Sequence, residues 1–313
     1  MAPSPSNPPP TTDERAVEAS RAWYDAIQHV PQDTTYMSDY AGLALLGIGL
    51  GLLATFVTPF HRMFSVNDLA ISFPHAEHER VPTFWAIIAA LVFPLLVFVC
   101  HGCRFGHSQA LYLSFSVAIM LTGFLTEVVK DAVGRPRPDL LARCRLKKDA
   151  KLEGLVTIEV CDLPHDRKLH EGWRSFPSGH SSFSFAGLGF LSLFFAGQLH
   201  LFSQAGNRDL CRTLLCLSPL IGAMLIAISR CEDYRHDVYD VCSGSALGMF
   251  IAYWSYRRHW PKLSSPKCDV PLPPPGSDTQ AWQRIGDEEM GDPGSERGYE
   301  LGNLARTRSR QPR

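Results

Sequence analysis

Three short stretches of this sequence hold the side chains that phosphoryl chemistry needs. "KDAVGRPRP" carries Lys130 and Arg137, the latter followed by Pro138. "FPSGH" carries Ser178, Gly179 and His180, and "SRCEDYRHDVYD" carries Arg230, His236 and Asp240. Lys130, Arg137 and Arg230 are cations, and an arginine fork matches phosphate oxygens in pairs. "PSGH" runs straight into an apolar segment, so its backbone N–H groups are free to point at a bound anion. His236 and Asp240 are four apart, so at a helix N-terminus they share a face and the carboxylate can hold one ring nitrogen. The other nitrogen is then a nucleophile. His180 comes from a different element and can protonate a leaving oxygen. No cluster of carboxylates is present to hold magnesium, so neither a metal nor another cofactor is expected.

These stretches border apolar runs, where a charge is expensive unless it is used. Six such runs lie at 40–60, 83–101, 108–129, 182–202, 213–229 and 239–256. Each is close to the roughly 20 residues that an α-helix needs to cross a bilayer. The expected fold is all-α: an integral membrane six-helix bundle over residues 37–260, with the active site at one membrane face. Residues 1–36 and 261–313 are rich in Pro, Ser and charge and read as disordered tails, the first with a short helix around "ERAVEASRAWYDAI". Gly47 with Gly51, and Gly244 with Gly248, have the spacing that lets helices pack closely in lipid. In a six-span bundle, the end of helix 3, the start of helix 4 and the loop between 5 and 6 share one face, so the three stretches can converge.

The basic "YRRHWPK" after the last run places both termini in the cytoplasm. The loop from 134 to 180 then faces the lumen or the extracellular space, although it too is rich in Lys and Arg. Cys144 and Cys161 share that loop, where an oxidising compartment would permit a disulfide. "CHGC" at Cys100–Cys103 reads as bland thiols or a lipidation site. His75 and His78 have ligand spacing but no third partner, and read as solvated loop histidines. Arg135 and Arg235 read as supporting residues, and Glu127 as a partner for Lys130 one turn on. With a net charge of −1, nothing favours nucleic acid as a partner.

Taken together, the patterns K-x6-RP, PSGH and SR-x5-H-x3-D resemble the signature of the type 2 phosphatidic acid phosphatase superfamily. The first loop, "RMFSVNDLAISFPHAEHERVP", and "TEVVKDAVGRPRPDLLARC" resemble its lipid phosphate phosphatase branch. The resemblance covers residues 40–260. It implies a metal-independent phosphatase with a phosphohistidine intermediate. Carried over, Lys130, Arg137, Ser178, Gly179 and Arg230 hold the phosphate, His180 protonates the leaving group, His236 attacks phosphorus and Asp240 orients His236. The substrates implied are phosphatidate, lysophosphatidate, diacylglycerol pyrophosphate or sphingoid phosphates, in an endomembrane, vacuolar or plasma membrane. The triplet "DVY" between His236 and Asp240 departs from the aromatic or His-rich one common in related lipid phosphatases, which bears on substrate preference. A polyprenyl diphosphate or soluble sugar phosphate is the alternative substrate. A non-catalytic lipid-binding or transport protein would need the cations but not the nucleophile.

Overall fold

The computed structural model describes residues 36–105, 108–147, 154–162, 164, 166–203 and 209–272. Asp39–Leu272 form one compact unit; a second, of Met1–Ser38 and Pro273–Arg313, is described only at residues 36–38, where the first helix begins. The short helix expected in the N-terminal tail lies outside the described residues.

Among the described residues six long helices form: α1 Met37–Phe56, α2 Thr83–Phe105, α3 Gln109–Val133, α4 Gly179–Gln198, α5 Leu210–Glu232 and α6 Val238–His259. They coincide with the six apolar runs to within a few residues. Among the described residues there is no strand, only the isolated bridges Phe64–Val156 and Leu146–Cys161. The protein is therefore all-helical, and α1, α2, α3 and α5 are long and apolar enough to cross a membrane. Helices α4 and α6, of 20 and 22 residues, have the length but not the same apolarity. The reason for α4 is its position. It packs against α3, α5 and α6 and is buried on most of its circumference. Its serines meet protein rather than lipid: Ser182 shares a 2.9 Å hydrogen bond with Thr126 of α3, and Ser192 donates to Cys216 O of α5 at 2.6 Å.

Lipid is as apolar as a leucine side chain, so helices inside it associate through close packing. Gly244 and Gly248 let α6 lie on the backbone of α4. A Cβ at Gly244 would meet Ser178 O, and one at Gly248 would overlap Ser182 O. The other glycine pair does not act this way, because nothing lies within 4 Å of a Cβ at Gly51. Helix α2 widens into a π turn at Ile88–Val92, and the Ala90 carbonyl there lies against Gly187 of α4. Deeper in the bundle, Phe98, Phe115, Phe190 and Phe194 pack edge-to-face, and Tyr256 stacks on Trp260. Helix α1 buries none of its residues.

A second core caps the end of the bundle that carries the three motifs. Phe64 and Ile71 from the α1–α2 connection pack on Leu140, Val156, Leu169 and Trp173 from the α3–α4 connection. A Cys144–Cys161 disulfide closes it, with the Cα atoms 4.8 Å apart. Trp173 Nε1 donates to Arg62 O at 2.9 Å, and His61 and His170 share a 2.7 Å hydrogen bond.

At the opposite end, order continues past the expected start of the tail at 261. Gln198 Nε2 donates to Asp269 O, Leu272 N donates to His259 O, and Cys268 is fully buried against Gly197. A buried Cys268 and satisfied backbone groups hold 261–272 in a stretch whose composition alone suggests a linker.

Candidate active site

The last turn of α3 delivers Lys130, whose Nζ donates to Glu127 Oε1 at 3.2 Å, the expected pair one turn apart. Glu127 also takes the Arg174 guanidinium. Helix α3 stops at Gly134, whose φ of +56° suits glycine and whose N–H bonds back to Lys130 O. A Cβ there would overlap Phe60 O, so the α1–α2 connection crosses directly over the helix end. Gly179, first in α4, has a steric role. A Cβ on it would stand 2.9 Å from Lys130 Nζ, so its absence lets the ammonium reach the first turn of α4.

Arg137 follows on the α3–α4 connection. It donates from Nε to Glu171 O at 2.8 Å, and its Nη2 lies 3.4 Å from Glu171 Oε2. Burial first, and then the neighbouring Arg143, pushes its pKa down to about 10, which leaves it charged at neutral pH. Arg230, in the last turn of α5, is 1% exposed. Its carbonyl accepts from both Arg235 N and His236 N. This tight reversal, with Tyr234 at φ +53°, brings Arg230 and His236 to one site.

His236 is buried, and its Nδ1 lies 3.7 Å from Asp240 Oδ2, longer than a hydrogen bond. Burial, more than the opposing pull of the Asp240 carboxylate, holds the ring below the ordinary imidazole range; Arg137 and Lys130 add to it. The ring is therefore neutral at physiological pH. Asp240 is fully buried and held from several sides. Its Oδ1 accepts from Arg135 Nη1 at 2.7 Å; its Oδ2 accepts from Ser175 Oγ at 2.5 Å and from Asp237 N at 3.1 Å. Asp237 caps α6, forms a capping box with Asp240 and pairs with the same Arg135.

Lys130, Arg137, Gly179, His180, Arg230 and His236 all line one cavity of about 550 Å³. His180 Nε2 is buried with no hydrogen-bond partner among the described residues. The cavity continues between apolar side chains of α2 and α3, including Ile87, Leu91 and Ile119. Asp240 sits behind His236, as its spacing suggests. Ser178 does not line the cavity. It is fully buried, its Oγ accepts from Ser181 Oγ at 3.0 Å, and its N–H donates to Asp240 O. Its N–H and hydroxyl tie α4 to α6 and to its own first turn.

Three features were not legible in the motifs. Ser175 bonds a carboxylate 65 positions away. Glu79, in the first loop, holds Arg230 across 151 positions, and Arg174 braces Glu127 across 47. None of these pairings has a local spacing that could announce it. His75 corrects the sequence reading: it is not simply solvated, since its Nδ1 lies 2.6 Å from Asp139 Oδ2. Asp139 is a fully buried carboxylate, and His75 and Arg143 supply the partners that burial demands.

Fold and site together define a helical membrane protein with a cationic pocket that holds two histidines. The chain belongs to the PAP2 superfamily, whose family model matches residues 111–264. It is 40% identical over 247 residues to a protein of Schizosaccharomyces pombe named probable diacylglycerol pyrophosphate phosphatase 1, covering 78% of this chain and 88% of the relative. It is 37% identical over 263 residues to diacylglycerol pyrophosphate phosphatase 1 of Saccharomyces cerevisiae, covering 79% and 89%. To lipid phosphate phosphatase 2 of Arabidopsis thaliana it is 36% identical over 238 residues, covering 74% and 79%. No solved structure matches the chain.

Proposed function

We propose that the protein is an integral membrane lipid phosphate phosphatase acting on lipids of the phosphatidate, lysophosphatidate and diacylglycerol pyrophosphate class. The observation that carries this reading is that one cavity is lined both by cations and histidines and by apolar faces of α2 and α3. Such a cavity suits an amphiphile with an anionic head. It favours lipid over a soluble sugar phosphate and leaves a polyprenyl diphosphate as the second reading.

Lys130, Arg137, Arg230 and the first N–H groups of α4 hold the phosphoryl oxygens. His236 attacks phosphorus through the ring nitrogen turned away from Asp240, and the P–O bond to the lipid breaks. His180 gives its proton to the departing oxygen. Water then attacks the phosphohistidine, His180 takes a proton back, and inorganic phosphate leaves. Asp240, held by Arg135 and Ser175, aims the ring and stabilises it as positive charge develops. Positive charge comes from side chains throughout, so turnover proceeds without a metal.

All six long helices cross the bilayer, and the termini are cytoplasmic. The Cys144–Cys161 disulfide in the cap supports a lumenal or extracellular active-site face, where such bonds persist. The test is release of inorganic phosphate from detergent–lipid micelles across a panel of lipid and sugar phosphates in EDTA. Release from phosphatidate or diacylglycerol pyrophosphate, but not from sugar phosphates, is expected. Loss of all turnover in EDTA, restored by magnesium, would overturn the metal-free mechanism.

A further inference from the structure

Every nitrogen of the Arg230 guanidinium is already engaged. Nε donates to Ser229 Oγ at 3.2 Å, Nη1 to Glu79 Oε2 at 2.9 Å and Nη2 to Asp233 Oδ2 at 2.7 Å. The second oxygen of Glu79 lies 3.1 Å from Arg235 Nη2. One carboxylate thus bridges two guanidinium groups, and all three side chains line the cavity that holds His180 and His236. The two acidic partners of Arg230 differ in how firmly they are placed. Asp233 is three residues on, 5% exposed, and also accepts from Arg80 N at 3.0 Å. Glu79 belongs to the α1–α2 connection and its side chain is 25% exposed. A phosphate that uses Arg230 therefore has one partner it can displace, and that partner is Glu79.

We propose that Glu79 is a specificity-determining residue: its carboxylate competes with the ligand headgroup for Arg230 and Arg235, so that only a headgroup with more than one negative charge displaces it. This rests on the reading of the cavity as a phosphate site. The physical reason is an exchange of like for like. A phosphodiester headgroup offers one negative charge on its phosphate and gains nothing over the carboxylate it replaces. A phosphomonoester carries about 1.5 to 2 negative charges at neutral pH, and a terminal diphosphate carries more. The bulk of a bilayer is phosphodiester lipid, present at far higher concentration than any monoester substrate. A carboxylate that must be displaced keeps that lipid out of the pocket at the cost of weaker substrate binding.

The experiment compares the full-length wild-type protein with Glu79→Gln and Glu79→Asp in detergent–lipid micelles. Three quantities are read: inhibition by orthovanadate, KM for a monophosphate and a diphosphate lipid, and inhibition by phosphatidylglycerol, a phosphodiester. In Glu79→Gln, vanadate is expected to bind about fivefold more tightly or better, since a charge-assisted pair no longer opposes it. KM should fall more for the monophosphate than for the diphosphate lipid, and phosphatidylglycerol should become a competitive inhibitor. Glu79→Asp keeps the charge and should show none of these gains. Weaker or unchanged vanadate binding in Glu79→Gln would overturn the proposal, because a carboxylate that merely positions Arg230 predicts a loss. If Glu79→Gln does not fold, the wild-type protein still decides: inhibition by phosphatidylglycerol as strong as by a non-hydrolysable phosphonate analogue of phosphatidate would overturn the proposal, and its absence would support it. Failure of the wild-type protein to bind vanadate at all would instead remove the phosphate-site reading, and with it this one.

Discussion

The helical bundle and the cap above it are held together by different means. Helices α3, α4 and α6 approach through Gly244, Gly248 and small hydroxyl residues, and pack aromatic rings deeper in. The cap is made of connections. Phe64 and Trp173 meet across more than a hundred residues, backed by a disulfide and by ion pairs such as Asp139 with Arg143 and His75. The difference follows from the solvent. Inside lipid, polar backbone must be satisfied within each helix, and surfaces associate by fit. At the water face, apolar loop residues gain from burial but lack regular structure, so covalent and charged ties supplement a small core. The residues of the proposed site lie on the seam: His180 and Asp240 start bundle helices, while Arg137 and the positioning residues Arg135 and Ser175 come from the cap.

The largest expected effect is at that seam. His236→Ala should lower turnover by at least about a thousandfold while leaving the protein folded, since it removes a nucleophile rather than a packing group. Acid-labile label from a radioactive phosphate substrate, quenched early, checks this; label that persists in the variant would place the nucleophile elsewhere.

Removing the disulfide with Cys144→Ser and Cys161→Ser should cost the cap about 2–4 kcal/mol. Limited proteolysis should then cut the α3–α4 connection faster, while helical content in detergent stays the same. If bundle and cap melt together instead, the two regions are one cooperative unit and the contrast fails.

Gly248→Val tests the other side. Its side chain would press on the Ser182 carbonyl, which a helix cannot easily move, and should destabilise the bundle by about 1–3 kcal/mol. The same change at Gly51, where a Cβ meets nothing, should have little effect on the thermal midpoint.

Arg135→Lys keeps the charge but loses the fork that spans Asp237 and Asp240. Turnover should fall about tenfold, with vanadate affinity nearly unchanged. A fall in vanadate affinity instead would show that Arg135 touches the phosphate.

The smallest effect is on pH dependence. Protonation of His236 removes its attacking lone pair, and an unperturbed ring with pKa about 6.5 would be roughly nine-tenths protonated at pH 5.5. Because burial lowers the His236 pKa, the attacking form persists to lower pH. Early phosphoenzyme formation should therefore decline by much less than the roughly eightfold that an unperturbed ring would show between about pH 7 and pH 5.5. A decline that titrates with a single midpoint near 6.5 would show that the ring is not shielded.

The helices were legible because each is written in consecutive residues. An apolar run such as 83–101 satisfies its own backbone as a helix, so length and hydropathy suffice to find α2. His236 and Asp240 were legible as a pair because only four positions separate them, His236 lying just ahead of the Asp237 N-cap and Asp240 in the first turn of α6. The cap was not, since its Phe64–Val156 pairing and the His75–Asp139 contact join segments with no shared periodicity. Nor was the ordered stretch 261–272, where composition suggests a tail and packing of Cys268 against Gly197 decides otherwise.

The sequence by itself determined which residue types are present at which local spacing: cations ahead of Pro138, a Gly–His pair opening α4, and a histidine one turn before a carboxylate. Those are short-range facts, set by covalent distance and helical period. Only the tertiary structure decided that Ser178 turns inward, that Arg135 and Ser175 hold Asp240, and that Glu79 occupies the fork of Arg230. A buried charge must find a partner wherever the fold brings one, and that partner can come from any distance along the chain.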